Sequence, residues 1–235
     1  MDSNRRNARL AGTLYLLSSI PGAFAFIYVP GKLVVEGDPA ATAERIRTAD
    51  GLLRAGIAAE MVGMTLFVFV ALVLFRLFRP VSEGHAVAML VLILLSIPIT
   101  LVGVVHEVAA LFFAGAGGRG GFLSAFSRPQ RDALAYFALE LHVQTIFVAM
   151  IFWGLWLFPF GVCVIRSRFI PRILGILLII AGVGNVADSL SRLALPQYAE
   201  AIGGVTRFMT PLELTIILWL LIWGARPQKE SVRAS

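Results

Sequence analysis

Charged residues are scarce. They make up 14% of the 235-residue chain, against 58% hydrophobic residues. An average soluble domain carries roughly 25% charged residues, because its surface must be covered with polar groups. The deficit excludes a water-soluble globule of this length, and the mean hydropathy of +0.85 agrees. Cysteine occurs once, at Cys163, so no internal disulfide can form. Its apolar surroundings point to inert burial rather than reactivity. Histidine is nearly as rare. With no His-Glu-x-x-His and no His-x-x-x-His, the common helical metal signatures are excluded. The net charge of +6 does not imply nucleic acid, because the basic residues form no face and only punctuate apolar segments.

What is present is a set of six apolar runs, at about 10–29, 56–78, 86–114, 133–165, 173–195 and 211–224. About 20 residues at 1.5 Å each cross a hydrocarbon core of about 30 Å. None of the runs alternates with period two, so they read as helices and not as barrel strands. The expected fold is all-α: a polytopic integral membrane bundle of six transmembrane helices in a lipid bilayer, one domain over 1–235. Runs three and four are long and should tilt or protrude. The sixth is short. Arginine and lysine set the orientation. The short links 79–85 and 166–172 hold Arg79, Arg166, Arg168 and Arg172, and the two ends add Arg5, Arg6, Arg9, Arg226, Lys229 and Arg233. The N- and C-termini are therefore expected to be cytoplasmic. Residues 5–25 also look like a cleavable signal peptide, basic at the start and ending in Ala23-Phe24-Ala25. The apolar run continues through Val29, which favours retention of the first span.

Two loops carry recognisable signals. Asp38 suits a helix N-cap, Pro39 its first turn and Gly51 its stop, giving a short interfacial helix. The run 115–121 matches G-x-G-x-x-G literally. It is rejected as a dinucleotide site, because no strand precedes it. It reads as a flexible hinge. Ser127 with Gln130 then forms a capping box for the fourth span.

The informative feature is the position of the ionisable residues. Glu60, Glu107, Glu140 and Asp188 each lie about 9–11 Å from the non-cytoplasmic end of their own span, by the helical rise. Glu213 begins the last span slightly shallower. His106 adjoins Glu107, His142 lies near Glu140, and Asn185, Gln144 and Arg192 fall in the same zone. A charge at a lipid-facing position costs about 2.5–3.5 kcal/mol on insertion scales, so these groups should face inward. Each has a plainer reading. Asp188 and Arg192 are four apart and can form a structural ion pair. Glu140 and Gln144, or Glu60 beside Ala55, Ala59 and Gly63, can simply bond across helices. Together, one depth on five helices points to a ligand cavity open to the outside, with Glu60, Glu107, Glu140, His142, Asp188, Arg192 and Glu213 as ligand-binding candidates. His106 and His142 could hold a divalent metal such as zinc, with water in the open position. They could also clamp a haem, which the neighbouring carboxyls disfavour. Serine hydrolysis would need Ser189 or Ser191 near His142, and no nucleophile-elbow motif marks either.

Several stretches resemble a known family. They are Arg9-Leu10-Ala11-Gly12, Val29-Pro30-Gly31-Lys32-Leu33-Val34, Gly37-Asp38-Pro39-Ala40-Ala41-Thr42 and Leu53-Arg54-Ala55-Gly56. Phe152-Trp153-Gly154-Leu155, Ser167-Arg168-Phe169-Ile170-Pro171-Arg172-Ile173-Leu174-Gly175 and Ala187-Asp188-Ser189-Leu190 follow. Glu213-Leu214 and Leu218-Trp219-Leu220-Leu221 close the series. In this order the chain resembles the bacterial membrane family catalogued as domain of unknown function 4386. The resemblance implies a multi-pass protein of a bacterial inner membrane and carries over no reaction. Glu60, Asp188, Glu213 and His142 fall in or near the matching stretches; 115–121 and His106-Glu107 do not. Three functions stay open. One is a site for a small or lipidic ligand, with or without a metal. The second is a scaffold whose polar layer only specifies packing. The third is a small transporter, which a homo-oligomer would suit. No inverted repeat supports the transporter.

Overall fold

Backbone N–H and C=O groups find no partner in hydrocarbon except one another, so long apolar runs must form helices there. The protein is seen as a computed structural model that describes residues 3–115 and 121–225. It is helical, with no strand among the described residues. Among the described residues, six segments are long and apolar enough to cross a membrane: Asn4–Leu33, Asp50–Phe78, Glu83–Ala114, Arg128–Ser167, Arg172–Ala194 and Pro196–Ile222. Large apolar side chains stay uncovered along them; Ile27, Val105 and Phe208 are 73%, 64% and 68% exposed. Such exposure is unfavourable in water and without penalty in lipid.

The first segment is not uniform. Helix α1 (Ser3–Ala23) contains Pro21 and runs into a π-helical turn, Phe24–Tyr28, before α2 (Val29–Leu33). The cause is local. Pro21 and Pro30 lack the amide N–H that holds the four-residue spacing, and the Val29 N–H reaches back to the Phe24 carbonyl instead. Gly37, at φ 72°, then turns the chain. Asp38 caps α3 (Pro39–Thr48), its Oδ1 accepting from the Ala41 N–H at 2.9 Å. The expected stop at Gly51 is displaced. The break falls at Ala49, with φ −133° and ψ 41°, and Gly51 lies inside α4 (Asp50–Phe78).

Helix α5 (Glu83–Ala114) follows. Of the Gly-rich run, residues 116–120 lie outside the described residues. Gln130 Oε1 accepts from the Ser127 N–H at 2.8 Å, the return half of the capping box that starts α6 (Arg128–Leu155). Pro159 has no N–H for the Leu155 carbonyl, and the helix breaks at Trp156 before α7 (Leu157–Ser167). Arg168, at φ 60°, ends α7, and α8 (Arg172–Ala194) follows Pro171. The sixth segment begins well before position 211. A 3-10 turn at Pro196–Tyr198 leads into α9 (Ala199–Met209), and a second at Thr210–Glu213 leads into α10 (Leu214–Ile222). Gly203, Gly204 and Arg207 interrupt the hydropathy of α9 and so hide it from a search for apolar runs.

The described residues fall into two compact units. The first draws on the described parts of Met1–Leu16, Phe67–Ser96 and Met150–Ser235; the second is Leu17–Leu66 with Ile97–Ala149. The first unit has an aromatic centre. Trp156 stacks on Phe160 at 5.2 Å, and Phe78 meets Phe160 edge-on at 5.6 Å. One of its close crossings uses glycine. A Cβ built on Gly175 would lie 2.6 Å from the Gly161 carbonyl oxygen, and one on Gly182 would lie 2.8 Å from that of Gly154. Backbones approach this closely only where side chains are absent. The second unit packs Val29, Leu33, Ile46, Leu53, Leu111 and Leu139. Its α3 is pinned by Arg47, which donates to Asp132 Oδ1 at 2.6 Å and to Glu44 at 2.9 Å. The side chain of Asp132 is 7% exposed, so this carboxylate depends on its partner. The hydrogen bond to Asp132 raises the pKa of Arg47 and holds the guanidinium charged.

Two variants test these contacts. Gly175→Val overpacks the crossing and should destabilise by about 1–3 kcal/mol, whereas Gly204→Ala, with nothing within 4 Å, should gain up to about 1 kcal/mol of helix propensity. Thermal unfolding in detergent would separate them. Arg47→Met should cost about 1–3 kcal/mol by stranding Asp132, a loss reduced in Arg47→Met/Asp132→Leu.

Candidate functional site

Three of the sequence candidates converge within the second unit: Glu60 on α4, Glu107 on α5 and His142 on α6. Each offers one ligand-capable atom, and these atoms all lie within 4.8 Å of one another. Burial is nearly complete, at 0%, 2% and 5% exposure. His142 Nε2 stands 3.8 Å from Glu60 Oε2. Both carboxyl oxygens of Glu60, Oε2 of Glu107 and Nδ1 of His142 have no hydrogen-bond partner in the protein. Among the described residues no arginine or lysine forms an ion pair with this group.

The local sequence explains the convergence. Gly103 lies one turn before Glu107 on α5, and a Cβ there would sit 2.9 Å from His142 Nδ1. Glycine at 103 therefore makes room for the imidazole beside Glu107. Gly56 and Gly63, on either side of Glu60, let other segments approach α4. A Cβ on Gly56 would meet Val29 at 3.1 Å, and one on Gly63 would meet the Ser18 carbonyl oxygen at 3.4 Å. From the π-helical turn, Phe26 lies stacked against His142, with ring centroids 6.4 Å apart. Leaving a buried polar atom unpaired costs about 1–3 kcal/mol. A site with several such atoms and a single imidazole N–H as its internal donor is disposed to accept a cation or a proton donor.

The other candidates are placed differently. The Nδ1 of His106 lies 3.3 Å from Thr145 Oγ1, and His106 is not one of the three grouped residues. Glu140 is half-buried, Gln144 is exposed, and neither joins the group. Asp188, Arg192 and Glu213 belong to the first unit. Arg192 Nε meets Asp188 Oδ2 at 3.1 Å, and the Thr206 hydroxyl donates to Asp188 Oδ1 at 3.3 Å. Tyr15 donates its phenol proton to Glu213 Oε1. These three thus form satisfied pairs. Ser191 Oγ donates to the Asp188 carbonyl at 2.8 Å; Ser189 and Ser191 also lie in the first unit, whereas His142 lies in the second. Sequence reasoning missed Gly103 and Phe26. The i, i+4 relation of Gly103 to Glu107 was the signal available for the first.

The family described as "Domain of unknown function (DUF4386)" matches residues 10–224. The chain belongs to this family. An uncharacterized protein of Archaeoglobus fulgidus is 35% identical over 92 residues, covering 37% of this chain. The DUF4386 chain thus spans about half of that relative's length, 54%. No solved structure matches it.

The Gly103 contact yields a direct test. Gly103→Ala should destabilise by about 1–3 kcal/mol through the clash with the imidazole. The same change in a His142→Ala background should cost far less. Unfolding of the two single variants and the double variant gives the coupling.

Proposed function

We propose that this DUF4386 protein binds a small cationic or proton-donating ligand at Glu60, Glu107 and His142. The protein would span a bacterial cytoplasmic membrane six times as one transmembrane domain. Its termini would be cytoplasmic and its binding site in the opposite half of the bundle. The arginines at 79, 166, 168 and 172 support that orientation.

One observation carries the binding reading: both carboxyl oxygens of the fully buried Glu60 lack a donor. A scaffold whose polar layer only fixes helix packing is expected to satisfy its own groups, as Asp188, Arg192 and Glu213 do. The Glu60 cluster does the opposite. A buried carboxylate facing a second carboxyl and one imidazole favours positive charge, since a positive ligand replaces the solvation that burial removes. Amines and metal ions share that property, and an anionic ligand is disfavoured. No reaction is assigned to the group.

Binding is tested by thermal unfolding of the purified protein in detergent with methylammonium, guanidinium and divalent metal ions. A ligand at a hundredfold excess over its Kd should stabilise wild type by about 2.7 kcal/mol and leave Glu60→Gln unmoved. Equal stabilisation of wild type and Glu60→Gln would overturn the site. Orientation is tested in a Cys163→Ala background. Glu36→Cys should react with an impermeant maleimide in intact cells, and Pro80→Cys only after permeabilisation. The reverse pattern would invert the topology.

A further inference from the structure

We infer that Glu60, Glu107 and Nε2 of His142 bind a single first-row divalent transition ion of the zinc class, leaving one coordination position open. This inference deepens the ligand-binding reading and rests on it. Three arguments select such an ion.

The first is charge. Two glutamates bring two negative charges when ionised, and a neutral imidazole brings none. A divalent ion makes the assembly neutral, which is the state a low-dielectric interior tolerates best. A monovalent cation would leave a net negative charge among fully buried groups.

The second is the donor set. Calcium and magnesium take six or more oxygen ligands, and magnesium keeps several waters. A mixed imidazole–carboxylate set suits zinc, manganese, iron(II) and cobalt instead. A haem, which one imidazole can hold, is disfavoured by the two buried carboxyls beside that imidazole.

The third is size. Three atoms no more than 4.8 Å apart can all lie within about 2.8 Å of a common point. Zinc bonds to nitrogen and oxygen measure about 2.0–2.2 Å, so contraction by less than about 1 Å completes the site. Small side-chain rotations supply that, and the unpartnered oxygens of Glu60 and Glu107 have no hydrogen bond to give up. The Nδ1 edge of the imidazole lies against the Gly103 backbone, which leaves Nε2 as the ligating atom. Three protein ligands are the number found in catalytic zinc sites, where the remaining position takes water or substrate. The arrangement therefore suits a Lewis acid more than a closed structural ion.

The experiment uses the full-length protein, purified in detergent, stripped with chelator and titrated with Co²⁺. Expected are saturation at one ion per chain, visible bands of low-coordinate Co²⁺ with nitrogen and oxygen ligands, and displacement by Zn²⁺. Glu107→Gln and His142→Gln should bind at least about a hundredfold more weakly, since even a second-shell loss costs up to that much. His106→Gln and Glu140→Gln should bind as wild type. If the two ligand variants fail to fold, the wild-type titration and its displacement by Zn²⁺ decide the matter. Absence of saturable Co²⁺ binding overturns the inference, and so does His106→Gln losing binding while His142→Gln keeps it. Organic cations separate the two levels. Stabilisation by methylammonium or guanidinium that Glu60→Gln abolishes, without metal binding, overturns the metal and leaves the ligand-binding reading standing. No response to any cation removes both.

Discussion

Hydrocarbon solvates neither backbone dipoles nor side-chain charges, and most local features of this protein follow from that. An ion moved from water to a medium of low dielectric pays a cost of order 20 kcal/mol before relaxation. A polar group buried without a partner still costs about 1–3 kcal/mol. The helices satisfy their own amides, and where proline removes an N–H the backbone adjusts nearby, as at Phe24–Tyr28 and Trp156. Several charged side chains find opposite partners. Arg192 holds Asp188, and Arg47 holds Asp132. Against this background, the buried oxygens of Glu60 and Glu107 that lack a partner in the protein stand apart from these paired carboxylates.

The contrast among the carboxyls is the main distinction. By helical rise alone, Glu60, Glu107, Glu140 and Asp188 look equivalent. Asp188 has a guanidinium one turn away on its own helix and a threonine hydroxyl on α9. Its side chain is 13% exposed, so its charge is shared with solvent as well. Glu60 has neither solvent nor cation, and its nearest polar neighbours are a carboxyl and an imidazole. Carboxyl groups at the same depth therefore have two different environments. One group is consumed by packing. The other keeps carboxyl oxygens with no hydrogen-bond partner in the protein.

Much of the fold was legible from residues alone. The apolar runs located six segments because hydropathy over 20 residues is a strong signal. Asp38 with Pro39, and Ser127 with Gln130, marked helix starts because capping depends on the side chains at those positions. Gly51 misled, since glycine permits a stop without requiring one, and Ala49 supplied the break. Helix α9 escaped because glycine and arginine lowered its hydropathy while amide bonding still favoured a helix. The site was half legible. Sequence spacing gives depth along a helix, at about 1.5 Å per residue. It does not give the direction in which neighbouring helices turn their faces. That is settled by contacts between distant residues, such as Gly103 with His142: His106 adjoins Glu107 in sequence, yet it is His142 that the fold groups with Glu107.

The π-helical turn has a consequence of its own. One residue more or less in an α-helix turns everything beyond it by about 100°. Within the second unit, Ala25, Val29 and Leu33 form one buried stripe, while their neighbours Ile27 and Tyr28 stay 73% and 50% exposed. The wide turn absorbs the extra residue that keeps this stripe in phase. Phe24–Tyr28 thus works as a phase adjuster, in which residue count matters as much as residue type. Losing one residue there would turn Val29 and Leu33 out of this stripe by about 100°, even if every remaining side chain were unchanged.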